Sequence, residues 1–198
     1  MKINTNAEIN YKSTLPNKLT AFRVACIPLV VFFLIYSDSG CDFLSLSNKW
    51  CSFFSALFIG MAFITDILDG YYARKFGAVT TLGKFLDPLA DKVLVTISMI
   101  MLIPIGRIPI LIVIVIIARE MAITGLRSIA AEKGIVIQAE KLGKFKTIFQ
   151  AVAILGLSLH YEYLNVDFQS VGMVFLWAAL VLTIWSGWSY FNHFRKVF

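Results

Sequence analysis

Apolar residues gather into six runs of helical length, at about 19–36, 50–72, 84–105, 108–128, 146–161 and 170–191, separated by stretches rich in charge, glycine or polar residues. A helix rises ~1.5 Å per residue and the hydrocarbon core of a bilayer is ~30 Å thick, so this pattern predicts membrane-spanning helices. The stretch Met1–Leu15 is polar and reads as a segment that lies on the membrane surface or is loosely ordered. The run that follows Pro16 is too long for the core of a signal peptide, and no convincing cleavage site follows it, so it counts as the first span. The expectation is an all-α integral membrane protein, with one domain over 1–198 and six transmembrane helices.

Composition strengthens that reading. Hydrophobic residues make up 59% of the chain and charged residues 15%, against roughly half and a quarter in soluble domains. Three cysteines do not make a disulfide framework, and a Cys41–Cys51 bridge is not expected. The net charge of +6 would suit a nucleic-acid binder, but its distribution answers to topology. With an even number of spans both termini share a side, and sixteen of the eighteen Lys and Arg fall there, leaving Lys49 and Arg107 opposite. The positive-inside bias places both termini in the cytoplasm and the chain in the cell (inner) membrane as a multi-pass protein, with no nucleic-acid partner. Trp50, Tyr161, Tyr163, Trp177, Trp185, Trp188 and Tyr190 fall mostly near the predicted interfaces and read as an aromatic belt among membrane lipids, without binding roles.

Topology does not call for carboxylates, yet residues 66–91 read DILDGYYARKFGAVTTLGKFLDPLAD. The pairs Asp66/Asp69 and Asp87/Asp91 stand at spacings of three and four, so each pair faces one way on its own helix. Lys75–Leu82 reads as a tight turn that makes the two helices antiparallel neighbours. Counting from Trp50 to Asp66, and from Ile105 back to Asp91 and Asp87, gives about 24, 21 and 27 Å of helix. All four carboxylates then lie at one level, a few ångströms inside the cytoplasmic boundary, in a polar cavity open to that side. Four ionised aspartates there would repel one another unless protonated or matched by cations. An oxygen-only donor set suits Mg²⁺ or Mn²⁺, and two such ions would balance the charge and clamp a diphosphate. The plainer alternative pairs each carboxylate with a base such as Arg74 or Lys92; it serves for one aspartate better than for four. Gly70 and Ala73 share the face of Asp66 and Asp69 and leave room for a ligand, although small residues in membrane helices also serve packing. Arg74 offers a fork suited to phosphate.

The string fits D-x2-D-G-x2-A-R-x8-G-x3-D-x3-D at Asp66, Asp69, Gly70, Ala73, Arg74, Gly83, Asp87 and Asp91. It resembles the signature of the CDP-alcohol phosphotransferase family, membrane enzymes of six helices. PNKLTAFRVACIP (16–28), REMAITGLR (119–127) and KLGKFKT (141–147) resemble segments of the phosphatidylglycerophosphate synthase branch, so the likeness covers nearly all of the chain after residue 15. The resemblance implies transfer of a phosphatidyl group from CDP-diacylglycerol to sn-glycerol 3-phosphate with release of CMP. It implies two divalent ions held by Asp66, Asp69, Asp87 and Asp91, with Asp91 as the base that takes the acceptor's proton. The CDP-lipid would lie against Asn17, Thr20, Asp69, Gly70, Ala73, Arg74 and Gly83, and a homodimer is the usual assembly of such families. Asn17 and Thr20 also read as caps of the first span.

Arg119 and Glu120 lie eleven and twelve residues past Ile108, about 17–18 Å into the membrane, where ionisable groups face polar cavities and mark function. Arg127 follows eight residues later, roughly 80° around the helix, so both arginines can line one pocket. With Lys141, Lys144 and Lys146 they form a cationic region suited to a phosphorylated acceptor. Topology and anionic lipids would also account for the lysines, and Glu120 reads as the counter-charge of Arg119. An aspartate-lined divalent-cation transporter is the competing class, opposed by the apolar outer halves of spans two and three and by the lack of an inverted repeat. A membrane prenyltransferase would be longer, with its acidic motifs far apart. A purely structural subunit would not need the acidic cluster. Within the family, cardiolipin-, serine- and inositol-type acceptors share the same core motif.

Overall fold

The computed structural model describes the backbone over residues 5–39, 47–76, 81–132, 141–163 and 165–197. Side chains are described over 21–38, 47–68, 92–130, 145–163 and 165–192, with Glu132, Gly143 and Arg195. Nearly all of this is helix: α1 (Thr5–Ser39), α2 (Asn48–Phe76), α3 (Thr81–Leu102), α4 (Ile110–Glu132), α5 (Lys141–Leu159) and α6 (Phe168–Val197). The chain divides into two units, Met1–Met101 and Leu102–Phe198.

Each apolar run predicted from the sequence lies largely within one helix, but α1 differs at its start. It begins at Thr5 and continues through Pro16, so the polar stretch is helical rather than loosely ordered. Glu8 follows Thr5 at capping-box spacing, and an interior proline costs a helix one backbone hydrogen bond without ending it. Asn17 and Thr20 consequently stand inside the helix and do not cap it; their side chains lie outside the described residues.

In the first unit α1 and α2 pack antiparallel. Phe33 stacks against Phe58 at 5.7 Å and meets Phe54 at 5.5 Å, while Val30, Leu34 and Ile59 are fully buried. Ser47 accepts the first backbone hydrogen bonds of α2 through its carbonyl, and Asn48 Nδ2 donates to Asp38 O at 3.2 Å, tying the helix ends together. Deeper along the pair, Cys26, Ala62 and Leu94 form a buried apolar cluster that brings α3 to α1 and α2. Ala62 stands fourteen residues before the end of α2 and Leu94 thirteen after the start of α3. Cys51 is buried in α2, and Cys41 lies outside the described residues.

The second unit rests on a close crossing of α5 and α6. A Cβ on Gly156 would stand 2.9 Å from Gly172 Cα, and one on Gly172 only 2.7 Å from Leu157 N, so the backbones touch where side chains are absent. A two-stranded hairpin, Glu162–Tyr163 with Val166–Asp167, joins these helices and was not legible in the sequence. Asp167 starts α6 by accepting from the Gln169 N–H at 3.0 Å and from the Ser170 hydroxyl. The Ser170 hydrogen bond holds its carboxyl below the usual range. Arg107, which topology alone explains as an outer-side charge, is buried and donates to the carbonyls of Ser158 (2.9 Å) and Leu157 at the end of α5, where a cation suits the helix dipole. Burial raises the pKa of Tyr163 nearby, with Tyr161 adding to the rise and Arg107 opposing it.

Large apolar side chains remain exposed on several helices, Leu111 at 73% and Trp188 at 69% among them. Water-soluble domains do not leave such faces open, whereas lipid covers them. Ala21–Asp38, Asn48–Leu68 and Phe168–Asn192 are long and apolar enough to cross a membrane; Lys92–Leu102 and Phe145–Leu159 are apolar but shorter among the described residues. The first eighteen residues of α4 carry Arg119, Glu120 and Arg127, which sets it apart from an ordinary lipid-facing span.

Candidate active site

The antiparallel packing of α1 and α2 sets the early part of α1 against the later part of α2. One turn from the Cys26–Ala62 contact it brings Arg23 to Asp66, with Nη2 3.1 Å from Oδ1. Arg23 is 1% exposed and Asp66 44%. A buried guanidinium needs a carboxylate within reach, and a half-exposed carboxylate stays open to a ligand while it serves that need. Arg23 is forty-three residues away in the sequence, about 140–155 Å of fully extended chain, and meets Asp66 only through the packing of α1 on α2. Along α2 Asp66 stands one turn after Ala62, and along α3 Asp91 stands one turn before Leu94, the two residues that share the buried cluster with Cys26.

The side chains of Asp69, Asp87 and Asp91 lie outside the described residues, as do those of Gly70, Ala73, Arg74 and Gly83, although all stand within α2 or α3. No group of three or more metal-ligating side chains occurs among the described residues. The donor chemistry nevertheless fits a hard divalent cation. All four acidic residues offer oxygen, and Asp66 is accessible at 44% exposure.

In the second unit the charged residues of α4 face α5 and α6. Arg119 Nη2 donates to Ser186 Oγ at 2.9 Å, and the Ser186 hydroxyl donates in turn to the carbonyl of Leu182 at 2.6 Å. Gly187 lies against the same side chain, where a Cβ would come within 3.3 Å of Arg119 Cγ. Arg119 Nη1 is 3.5 Å from Glu120 Oε1, and that oxygen also pairs with Lys146 of α5. Glu120 is therefore shared between two cations rather than being the counter-charge of one. Lys146 is buried, while the side chains of Lys141 and Lys144 lie outside the described residues.

One turn beyond Ser186, Tyr190 lies under the Arg127 guanidinium, 5.6 Å from ring centroid to Cζ. This corrects the aromatic-belt assignment for Tyr190. It is 5% exposed, whereas Trp185 and Trp188 on the same helix are 67% and 69% exposed. Both arginines thus meet α6, which supplies Ser186, Gly187 and Tyr190, three residues missed in the sequence. Their spacing of one and three residues marks a shared helix face, but nothing in the composition of α6 distinguishes that face from the others. Among the described residues the layer combines two guanidiniums, an ammonium, two hydroxyls and a single carboxylate, a donor-rich arrangement suited to an oxyanion with more than one charge.

A family model described as CDP-alcohol phosphatidyltransferase matches residues 13–185, across both units. The chain is 42% identical over 184 residues to the CDP-diacylglycerol–glycerol-3-phosphate 3-phosphatidyltransferase of Bacillus subtilis, covering 90% of this chain and 93% of that one. It is 36% identical to the protein of the same name from Rickettsia bellii (93% and 97% covered), and 35% to that of Mycoplasma pneumoniae (87% and 80%).

Proposed function

The chain belongs to the CDP-alcohol phosphatidyltransferase family, and on that footing we propose that it transfers the phosphatidyl group of CDP-diacylglycerol to sn-glycerol 3-phosphate, releasing CMP in phospholipid synthesis. The observation that carries this reading is the similarity to enzymes of that name along nine-tenths of both chains. The donor-rich layer on α4, α5 and α6 supports it, because serine and inositol acceptors bring no phosphate to such a site.

In the transfer, the acceptor hydroxyl oxygen bonds to the lipid-side phosphorus while the bond from that phosphorus to the CMP oxygen breaks. Asp91 takes the hydroxyl proton as that bond forms. Asp66, Asp69, Asp87 and Asp91 are the residues that would hold two divalent ions, Mg²⁺ or Mn²⁺, and bound there the ions would supply positive charge to the diphosphate and the leaving CMP. Arg23 holds Asp66 in place for that task through the 3.1 Å ion pair. Asn17, Thr20, Gly70, Ala73, Arg74 and Gly83 accommodate the CDP moiety, while Arg119, Arg127, Lys141 and Lys144 take the acceptor's phosphate. The six apolar runs supply six spans, the basic-residue bias turns both termini and the site to the cytoplasmic side of the cell membrane, and a homodimer follows from the family likeness.

The test is CMP release by purified protein from CDP-diacylglycerol with glycerol 3-phosphate, serine, inositol or phosphatidylglycerol as acceptor. Glycerol 3-phosphate should support turnover and the others little, with activity abolished by excess chelator. Preference for another acceptor reassigns the enzyme within its family. Full turnover in chelator, with metal content confirmed as nil, removes the divalent ions from the mechanism.

A further inference from the structure

We propose that the Tyr190 hydroxyl donates a hydrogen bond to an anionic oxygen of the acceptor's phosphate, making Tyr190 a binding residue contributed by α6. The proposal rests on the reading that Arg119 and Arg127 take that phosphate.

Tyr190 is 95% buried by its 5% exposure, and its hydroxyl has no hydrogen-bond partner among the described residues. Burying a hydroxyl without a partner is unfavourable, so a ligand atom is the natural completion. Unpartnered hydroxyls also occur at Ser55, Ser98, Ser158 and Thr183, but there the short side chain can rotate toward a carbonyl of its own preceding turn. A phenol at the end of a rigid ring has no such recourse.

The surroundings define the ligand's charge. Arg127 lies over the ring, 5.6 Å from its centroid, and so faces the π-surface. Arg119, bound to Ser186 one turn earlier on α6, also has its Nε without a partner. Two donors without acceptors thus stand on the α4–α6 seam, each beside a guanidinium or part of one. What they lack is an acceptor with negative charge, and a phosphate has oxygens enough for both. A phenol O–H to an anionic oxygen is among the stronger hydrogen bonds a protein makes. The ring also gives Arg127 a fixed surface, so the same residue orients a cation and supplies a donor.

Tyr190→Phe tests this, because it keeps the ring and the Arg127 contact and removes only the hydroxyl. Loss of one hydrogen bond to a charged group should raise the KM for glycerol 3-phosphate about tenfold or more. The KM for CDP-diacylglycerol should stay within twofold, or about 0.4 kcal/mol by the usual conversion. Calorimetric titration of glycerol 3-phosphate into the purified, detergent-solubilised protein should show the same weakening, with inorganic phosphate as a competing probe. The melting temperature without ligand should be unchanged or higher, since an unpartnered hydroxyl has been removed from the interior. Arg119→Gln, measured alongside, separates the two levels of inference. If it raises the acceptor KM and Tyr190→Phe does not, the tyrosine is no ligand while the acceptor reading stands. If neither raises it, the acceptor reading fails and the proposal fails with it. A Tyr190→Phe protein that melts several degrees lower in the absence of ligand would make the hydroxyl structural and overturn the proposal as well.

Discussion

The crossing of α5 and α6 offers a test in which the geometry sets the magnitude. A Cβ added at Gly172 would lie 2.7 Å from Leu157 N, 2.9 Å from Leu157 Cγ and 3.0 Å from Gly156 C. Two of those atoms are backbone and cannot rotate away. Reaching ordinary contact near 3.4 Å requires α6 to withdraw from α5 by about 0.7 Å at this point, an overpacking that costs about 1–3 kcal/mol. For a chain of this size that corresponds to a melting temperature lower by about 3–10 °C. Gly125 in α4 is the control, because nothing lies within 4 Å of its added Cβ. Gly125→Ala removes only the helix penalty of glycine and should stabilise by up to about 1 kcal/mol. Thermal unfolding of the purified proteins in one detergent, without ligand, compares the two. CMP release should fall for Gly172→Ala, since α5 and α6 carry Lys146, Ser186 and Tyr190. If Gly172→Ala melts with the wild type, or if Gly125→Ala melts lower than Gly172→Ala, backbone contact does not limit this crossing and the reasoning is refuted.

Asp91→Asn should lower single-turnover chemistry at least ~100-fold while CDP-lipid binding falls modestly, as expected for a lost general base; near-normal turnover would require another base. Asp66→Asn should harm both binding and turnover. In excess chelator, Asp66→Asn should also be less stable than Arg23→Met, by about 3 against about 1–2 kcal/mol, because it takes the carboxylate from a guanidinium that is 1% exposed whereas the reverse change leaves a carboxylate that water reaches. Unfolding in which Arg23→Met is the weaker protein would contradict the ion pair's asymmetry.

The helices and the spacing of the carboxylates in the aspartate motif were determined by the sequence itself. Both are local: an apolar run of some twenty residues has one economical conformation in a bilayer, and carboxylates three or four apart share a face on any helix. The depth count that aligned Asp66 with Asp91 used only the helical rise, a property that packing hardly changes. Pairing between helices within each unit was decided by tertiary structure alone. Arg23 was counted as a topological charge and Tyr190 as part of a belt, yet one is buried against Asp66 and the other lies beneath Arg127. Lys146, one of several basic residues in its segment, is the one buried on Glu120. The reason lies in the solvent. In water, an apolar stripe points inward and its opposite face is polar, so periodicity tells inside from outside. Lipid is as apolar as the protein interior, so the faces of these helices that meet lipid and those that meet other helices carry similar residues, and only packing, such as the contact of Gly156 with Gly172, decides which way each one turns.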